Sequence, residues 1–476
     1  MDLADGVGQM DVSVPSNVDF DTLPAWLRET TRASDHGKIV SENFLKIERN
    51  EQSRMKDAYA AFTPGGAAKS RGVRLSGVEK GVKNRYKDIL PFDHARVRLA
   101  DRSEGSCDYI NASYVQASRS NKRYIASQGP LPATFEDFWS VIWDQDVRVI
   151  VMLTAESEGG QLKCHPYWQS KEFGPFRLKP LSEKKVSLDL DKPRTNSTAS
   201  ASNTAAAAAA AEAGRRRAMT TNVIDSSNPA LPTVPSQPAE TPHVIIRKFV
   251  LSHAANPFAP MREITHLHYP SWPDFGTPAQ PSHLLALVEL ANVMQRSALP
   301  VDANAIAASA TSERPTMSNW YDEPESDTKA RPMLVHCSAG CGRTGTFCTV
   351  DSVIDMLKRQ RIASAIAETQ YDTDGDVQMD DGTPQRNDGP NREISGIARD
   401  GNHRIDTSFL RDSGADLIAS TVEDFRQQRL SMVQSLRQFV LCYETVLEWI
   451  WRSQDKNNGL STARNRARSG SLESRR

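Results

Sequence analysis

Within one short stretch, Met333-Leu334-Val335-His336-Cys337-Ser338-Ala339-Gly340-Cys341-Gly342-Arg343-Thr344-Gly345, the chain gathers a nucleophile, a cation and three glycines. An apolar strand runs into a loop of small residues and then into a helix with apolar positions Phe347, Val350, Ile354 and Leu357. A strand–loop–helix turn points unsatisfied N–H groups and the positive helix end at one spot, which makes an anion site. Gly340, Gly342 and Gly345 let the backbone approach that anion. At the mouth, the same field lowers the Cys337 thiol pKa and favours a thiolate. Arg343 follows five intervening residues later, so the loop can curl back and lay a planar guanidinium fork across two phosphoryl oxygens. Taken singly, Cys337 reads as an inert buried thiol and Arg343 as a surface cation. The whole string reads as a site for a phosphoryl group.

These residues resemble the signature of the protein tyrosine phosphatase family, His-Cys-x5-Arg-Ser/Thr. The resemblance recurs in order as Lys83-Asn84-Arg85-Tyr86-Lys87-Asp88-Ile89, Asp108-Tyr109-Ile110-Asn111-Ala112-Ser113, Gln128-Gly129-Pro130, Lys163-Cys164-His165-Pro166-Tyr167-Trp168 and Trp272-Pro273-Asp274. It implies a metal-independent and cofactor-free phosphotyrosine-protein phosphatase. Cys337 would be the nucleophile that forms a cysteinyl phosphate. Arg343 would bind the phosphoryl oxygens with the N–H groups of Ser338, Ala339, Gly340, Cys341 and Gly342. A tyrosyl oxygen leaves poorly without a proton, and Asp274 resembles the general acid that supplies one and later serves as base. Phe275, next along that loop, is implied on the substrate side. Thr344 matches the hydroxyl that stabilises the departing thiolate. Gln434 and Gln438 resemble the pair that orients the hydrolytic water, and Glu158 and Lys163 the pair that braces the arginine and the acid loop. Tyr86 would form a wall of a deep pocket, with Asp88 receiving hydrogen bonds from the substrate backbone. His336 would tune the cysteine loop by hydrogen bonding, while Cys341 packs behind it.

These groups need a scaffold, and the periodicity supplies one. Tyr109–Val115, Tyr124–Gln128, Val147–Leu153 and Val244–Ser252 have strand lengths and residue types. Thr134–Trp143 reads as a helix capped by Thr134, with Asp137 three residues on. Ser282–Met294 and Phe425–Trp451 read as further helices. Strands and helices so mixed predict a single α/β (α+β) domain; the resemblance implies a twisted mixed sheet flanked by helices.

The 476 residues carry 58 basic and 59 acidic side chains, so no whole-chain field recruits nucleic acid or an anionic membrane. No apolar run is long enough to span a bilayer, and the start of the chain lacks a secretory pattern. Six cysteines show no disulfide or zinc spacing. These features predict a soluble, reduced, cytoplasmic protein with nuclear access left open. Residues 191–241, 299–330 and 362–413 are too polar or too low in complexity to build core and read as surface insertions. The expected organisation is a disordered N-terminus over 1–20, a catalytic domain over 21–455, and a basic disordered tail over 456–476.

Lys184-Lys185-Val186-Ser187-Leu188-Asp189-Leu190 resembles a docking motif for mitogen-activated kinases but alternates as a strand does, and the strand reading is preferred. Asp372-x-Asp374-x-Asp376 lacks the glutamate a calcium loop needs. The expected partners are phosphotyrosine proteins of kinase signalling, with a mitogen-activated protein kinase among the candidates. Two other readings stay open. A dual-specificity or phosphoinositide phosphatase would use the same cradle, although its interior here lacks Lys and Arg. A catalytically dead phosphotyrosine-binding module would keep the cradle without turnover.

Overall fold

The computed structural model describes residues 9–60, 74–100, 107–189, 241–274, 276–298, 323–327, 329–374 and 405–473. The chain divides into a main unit, Met1–Leu188 with His243–Arg476, and a second unit, Asp189–Pro242. The architecture below is that of the main unit.

Its elements run in chain order: α1 (Ala25–Thr30), α2 (Lys38–Ala60), β1 (Arg96–Arg98), β2 (Tyr109–Val115), β3 (Tyr124–Ser127), α3 (Phe135–Asp144) and β4 (Val149–Met152). A small ribbon, β5 (Ser157–Glu158) and β6 (Gln161–Leu162), precedes β7 (Glu172–Phe173), β8 (Phe176–Ser187), β9 (His243–His253) and β10 (Arg262–His268). Then come α4 (Pro281–Ser297), β11 (Met333–His336), α5 (Gly342–Asp374), α6 (Leu417–Gln428) and α7 (Leu436–Glu473). Nine strands form one mixed sheet in the order β1-β2-β3-β11-β4-β10-β9-β8-β7. The centre, β3-β11-β4-β10, is parallel, and antiparallel strands flank it on both sides.

Val149–Met152 and Met333–His336 are buried throughout, as central strands covered on both faces must be. Alternation then sorts their side chains. Val149, Val151 and Val335 join the core under α2, α4, α5, α6 and α7. Ile150, Met152 and Leu334 face Phe138, Trp139 and Ile142 of α3 on the other side. The cysteine loop leaves the C-terminal end of β11, where a parallel strand delivers its chain to a helix N-terminus.

Several expectations change in detail. Residues 9–20 pack on the domain instead of lying free: Val18 is buried, Met10, Val12 and Val14 rest on the core, and Ser13 N donates to Glu444 Oε1 at 3.2 Å. Too few apolar residues for a periodicity are still enough to strap a surface. The α3 start is not capped by the Thr134 side chain, whose hydroxyl bonds Leu131 instead, while Asp137 pairs with Lys83 at 3.0 Å. The stretch read as one helix from Phe425 is two, α6 and α7, parted by a turn in which Ser431 and Val433 take positive φ. Lys184 and Lys185 lie in β8, paired with β9. α5 runs into the third expected insertion as far as Asp374, and α7 is described through Glu473, within the expected tail. Residues 191–240, 299–322 and 375–404 of the expected insertions lie outside the described residues.

Leu334→Ala removes a fully buried side chain from the strand that feeds the cysteine loop. It should destabilise the domain by about 2–5 kcal/mol in denaturant unfolding, because the close-packed site cannot collapse.

Candidate active site

Cys337 follows β11 directly and is almost fully buried. Burial alone would push its thiol up; the Arg343 charge, the Thr344 side chain and the N–H groups of Thr344 and Cys341 outweigh it, so the thiol lies below the ordinary cysteine value. Gly340 N donates to the sulfur at 3.2 Å. Gly340 needs its positive φ of 73°, and a Cβ there would stand 2.2 Å from Ser127 O. Thr344, whose hydroxyl is buried beside the loop without a partner among the described residues, is among the groups that hold the thiol down.

For the loop N–H groups to face inward, its carbonyls must face outward and be satisfied there. Arg429 does this. Completely buried, it donates from Nε to Gly340 O at 2.7 Å and from Nη2 to Ala339 O at 2.9 Å. Its other bonds reach Ser113 Oγ and Asn111 Oδ1 on β2. Gly129 N holds Ser338 O at 2.9 Å. Nothing in the sequence pattern marks Arg429 for this task, since an arginine beside a loop ordinarily reads as exposed.

Arg343 is buried under the acid loop. Its Nη1 donates to Glu158 Oε1 at 2.5 Å and Trp272 O at 2.8 Å, and its Nη2 donates to Asp274 Oδ1 at 3.1 Å. Burial lowers its proton affinity, but Cys337, Glu158 and Asp274 reverse that and raise it above the ordinary value. Lys163 Nζ holds the second Asp274 oxygen at 2.8 Å, and this bond raises the lysine pKa. Glu158 and Lys163 sit on and just after the β5–β6 ribbon, so one hairpin fixes both braces.

Ser338 Oγ spends its proton on Lys163 O at 2.8 Å, so the Tyr86 hydroxyl donates to it, also at 2.8 Å. Tyr86 therefore stands at the mouth of the loop, with Asp88 exposed nearby in sequence. Gln438 is buried and its Oε1 accepts from Gln434 N at 3.0 Å. Both reach the helix end: a Cβ on Gly342 would meet Gln438 Oε1 at 2.6 Å and Gln434 Cβ at 3.0 Å. Cys341 is buried behind the loop, where burial raises its thiol to about 12. Phe275 lies outside the described residues. Among the described residues, no group of three or more His, Cys, Asp and Glu could hold a metal ion.

His336 belongs to a buried chain of hydrogen bonds whose direction an arginine fixes. Arg247 Nη1 can only donate, so Nδ1 of His266 (3.5 Å) and of His268 (3.2 Å) accept. His266 Nε2–H then donates to the Tyr167 oxygen at 3.0 Å, and Tyr167 O–H donates to His336 Nε2 at 2.7 Å. His336 Nδ1–H donates to Cys337 O at 3.0 Å, anchoring the loop where it leaves the strand. His268 Nε2–H donates to Thr154 O. Burial, joined by neighbouring charge, holds His336 down to about 4, His268 to about 3 and His266 well below the ordinary value.

Two predictions follow from this geometry. Gly340→Ala cannot keep the loop N–H groups convergent, and turnover of an aryl phosphate should fall at least about 10²-fold, the worth of a lost oxyanion donor. Second, the three histidines stay neutral in the folded protein while each binds a proton on unfolding below about pH 6.5. The unfolded state then holds more protons, so stability falls with falling pH, by up to about 1.4 kcal/mol per pH unit for each histidine. Denaturant midpoints from pH 7.5 down to 4.5 measure the slope, and His268→Asn should reduce it.

The family model described as protein-tyrosine phosphatase matches residues 80–225 and 230–371. The chain is similar to human tyrosine-protein phosphatase non-receptor type 18, 31% identical over 340 residues, covering 70% of this chain and 52% of the relative. It is also similar to mouse receptor-type tyrosine-protein phosphatase C, 30% identical over 305 residues, covering 61% of this chain and 17% of the relative. It thus spans about half the length of the first relative and far less of the second. A solved complex of PTPN18 with HER2 phosphopeptides aligns with a TM-score of 0.50 at 25% identity, over 89% of this chain and 97% of that one. No described helix is long and apolar enough to cross a membrane. A loop wrapped around a buried cysteine, together with a family match running through both that loop and the Trp272-Pro273-Asp274 turn, establishes that this chain belongs to the protein tyrosine phosphatase family.

Proposed function

We propose that the chain is a phosphotyrosine-protein phosphatase working through a cysteinyl-phosphate intermediate, with its catalytic domain over residues 21–455. The observation that carries the reading is the Arg343 guanidinium, which bonds Glu158, the Trp272 carbonyl and Asp274 and whose charge helps to lower the Cys337 thiol. A phosphoryl dianion seated there meets the arginine fork and the loop N–H groups together. The Cys337 sulfur attacks phosphorus, and the P–O bond to the tyrosyl oxygen breaks. Asp274 gives its proton to that oxygen, so that tyrosine leaves neutral. The thiolate is later the leaving group, stabilised by Thr344 and the loop donors. No step requires a metal or cofactor.

Specificity for phosphotyrosine rests on depth. Tyr86, bonded to Ser338, walls the entrance, so a long aromatic side chain reaches the loop and a phosphoserine falls short. Asp88 on the rim would accept hydrogen bonds from the substrate backbone, with Phe275 beside the acid. The solved PTPN18 complex with HER2 phosphopeptides described above supports this substrate class. Physiological substrates would be phosphotyrosine proteins of kinase signalling met in the cytoplasm or nucleus, and a mitogen-activated protein kinase is the candidate we name. Recovery of bound phosphoproteins with an Asp274→Ala trap tests that choice.

Asp274→Ala should slow turnover by roughly 10²–10⁴ for phenolate leaving groups of high pKa. The loss should shrink for acidic phenols; an equal loss for both removes the general-acid role. On matched peptides, phosphotyrosine should be cleaved far faster than phosphoserine, and Tyr86→Ala should weaken the phosphotyrosine peptide several-fold through lost ring packing worth about 0.5–1.5 kcal/mol. Comparable rates on the two wild-type peptides would assign the chain to dual-specificity chemistry.

A further inference from the structure

We propose that Glu51, on α2 and outside every motif of the site, is a positioning residue for hydrolysis of the phosphoenzyme. It acts through Arg426 on the turn that presents Gln434, and the inference rests on the reading of Gln434 as the residue that orients the hydrolytic water. The turn between α6 and α7 is held in an unfavourable backbone. Ser431 has φ 53° and Val433 has φ 59°, and a β-branched residue seldom adopts the left-handed region. Gln434 follows Val433 immediately. A conformation of this kind persists only where its surroundings over-determine it.

Those surroundings come from α2 and α6. Glu51 Oε1 accepts from Ser431 N at 2.8 Å and Ser431 Oγ at 3.2 Å, while its Oε2 accepts from Arg426 Nη1 at 2.7 Å. Arg426 in turn donates from Nε to Met432 O at 2.9 Å and from Nη2 to Val433 O at 2.6 Å. Glu48 adds a second carboxylate at 2.6 Å, and the Phe44 ring covers the guanidinium. Arg426 is 1% exposed and Glu51 7%, so water does not replace these bonds. From the other side the turn presses on the helix of the cysteine loop, where a Cβ on Gly345 would stand 2.3 Å from Val433 N. One buried ion pair therefore grips the turn by an N–H and two carbonyls and sets where Gln434 stands relative to the thiolate.

The clamp makes no bond to Cys337, Arg343 or Asp274, so the step that loads phosphate onto the cysteine does not depend on it. The second step does. There the water oxygen bonds to phosphorus, the S–P bond breaks with its electron pair returning to the Cys337 sulfur, and the proton passes to the Asp274 carboxylate. A water displaced from its line of attack slows this step alone.

Stopped-flow turnover of p-nitrophenyl phosphate by the whole chain separates the two steps as burst and steady state. Glu51→Gln should leave the burst rate within about twofold, lower the steady-state rate about 10- to 100-fold, and raise the share of phosphate passed to added glycerol. Val433→Gly, which takes positive φ without strain, should restore part of the steady-state rate in the Glu51→Gln background. If Glu51→Gln does not fold, Arg426→Lys is read in the same way. Burst and steady state slowing together, or neither changing while the melting temperature falls, would overturn the clamp. Gln434→Ala separates the two readings. If that variant leaves partitioning to glycerol unchanged, the role of Gln434 fails; if it shifts partitioning and Glu51→Gln does not, the clamp alone fails.

Discussion

A cysteine thiol held below its ordinary pKa inside a buried loop is the demand from which the rest of this architecture follows. Burying a sulfur raises its pKa, so fixed charge and dipoles must more than cancel the loss of water. Arg343 supplies the charge and the loop backbone supplies the dipoles. Neither works at a distance. The N–H groups must converge on one point, which requires a left-handed turn at Gly340 and a backbone lying against Ser127.

Turning the amides inward turns carbonyls outward, and a buried carbonyl without a partner is costly. Arg429 meets that need, yet a buried guanidinium has donors of its own to satisfy. Asn111 and Ser113 of β2 accept from it, so a strand well away from the cysteine is drawn into the support of its loop. On the opposite face the Arg247–His266–Tyr167–His336 chain anchors the Cys337 carbonyl. The loop is thus gripped at its start and at its middle by side chains from outside it. Arg343 extends the same logic to the Trp272-Pro273-Asp274 loop: its bonds to the Trp272 carbonyl and Asp274 tie that loop to the cysteine loop.

The order of elements was legible in the sequence wherever a strong period met a short segment. Tyr109–Val115 and the strand before Cys337 carry apolar runs that admit little else, and both match their strands. Element ends were less legible. The supposed long helix from Phe425 is broken at Ser431 and Val433, where residues of α2 and α6 far off in the chain hold the turn. Residues 9–20 carry a few apolar side chains without period, and whether such a strap docks depends on a complementary surface made elsewhere. Arg429 and Glu51 were equally hidden: their types are common, and their spacing from the cysteine loop is long and carries no pattern.

By itself, then, the sequence determined the chemistry available: a cysteine, an arginine six residues beyond it, small residues between, and an aspartate on a separate Trp-Pro-Asp turn. Those are local facts, because small residues between a strand and a helix leave backbone N–H groups free to face an anion. Tertiary structure decided which partners make that chemistry work. It brought Asp274 and Glu158 onto Arg343, turned the loop carbonyls to Arg429, and pressed a strained turn from beyond α6 against the helix of the cysteine loop. Each of those contacts joins residues far apart in the chain through desolvated hydrogen bonds. Their worth depends on burial, and burial is a property of the packed molecule.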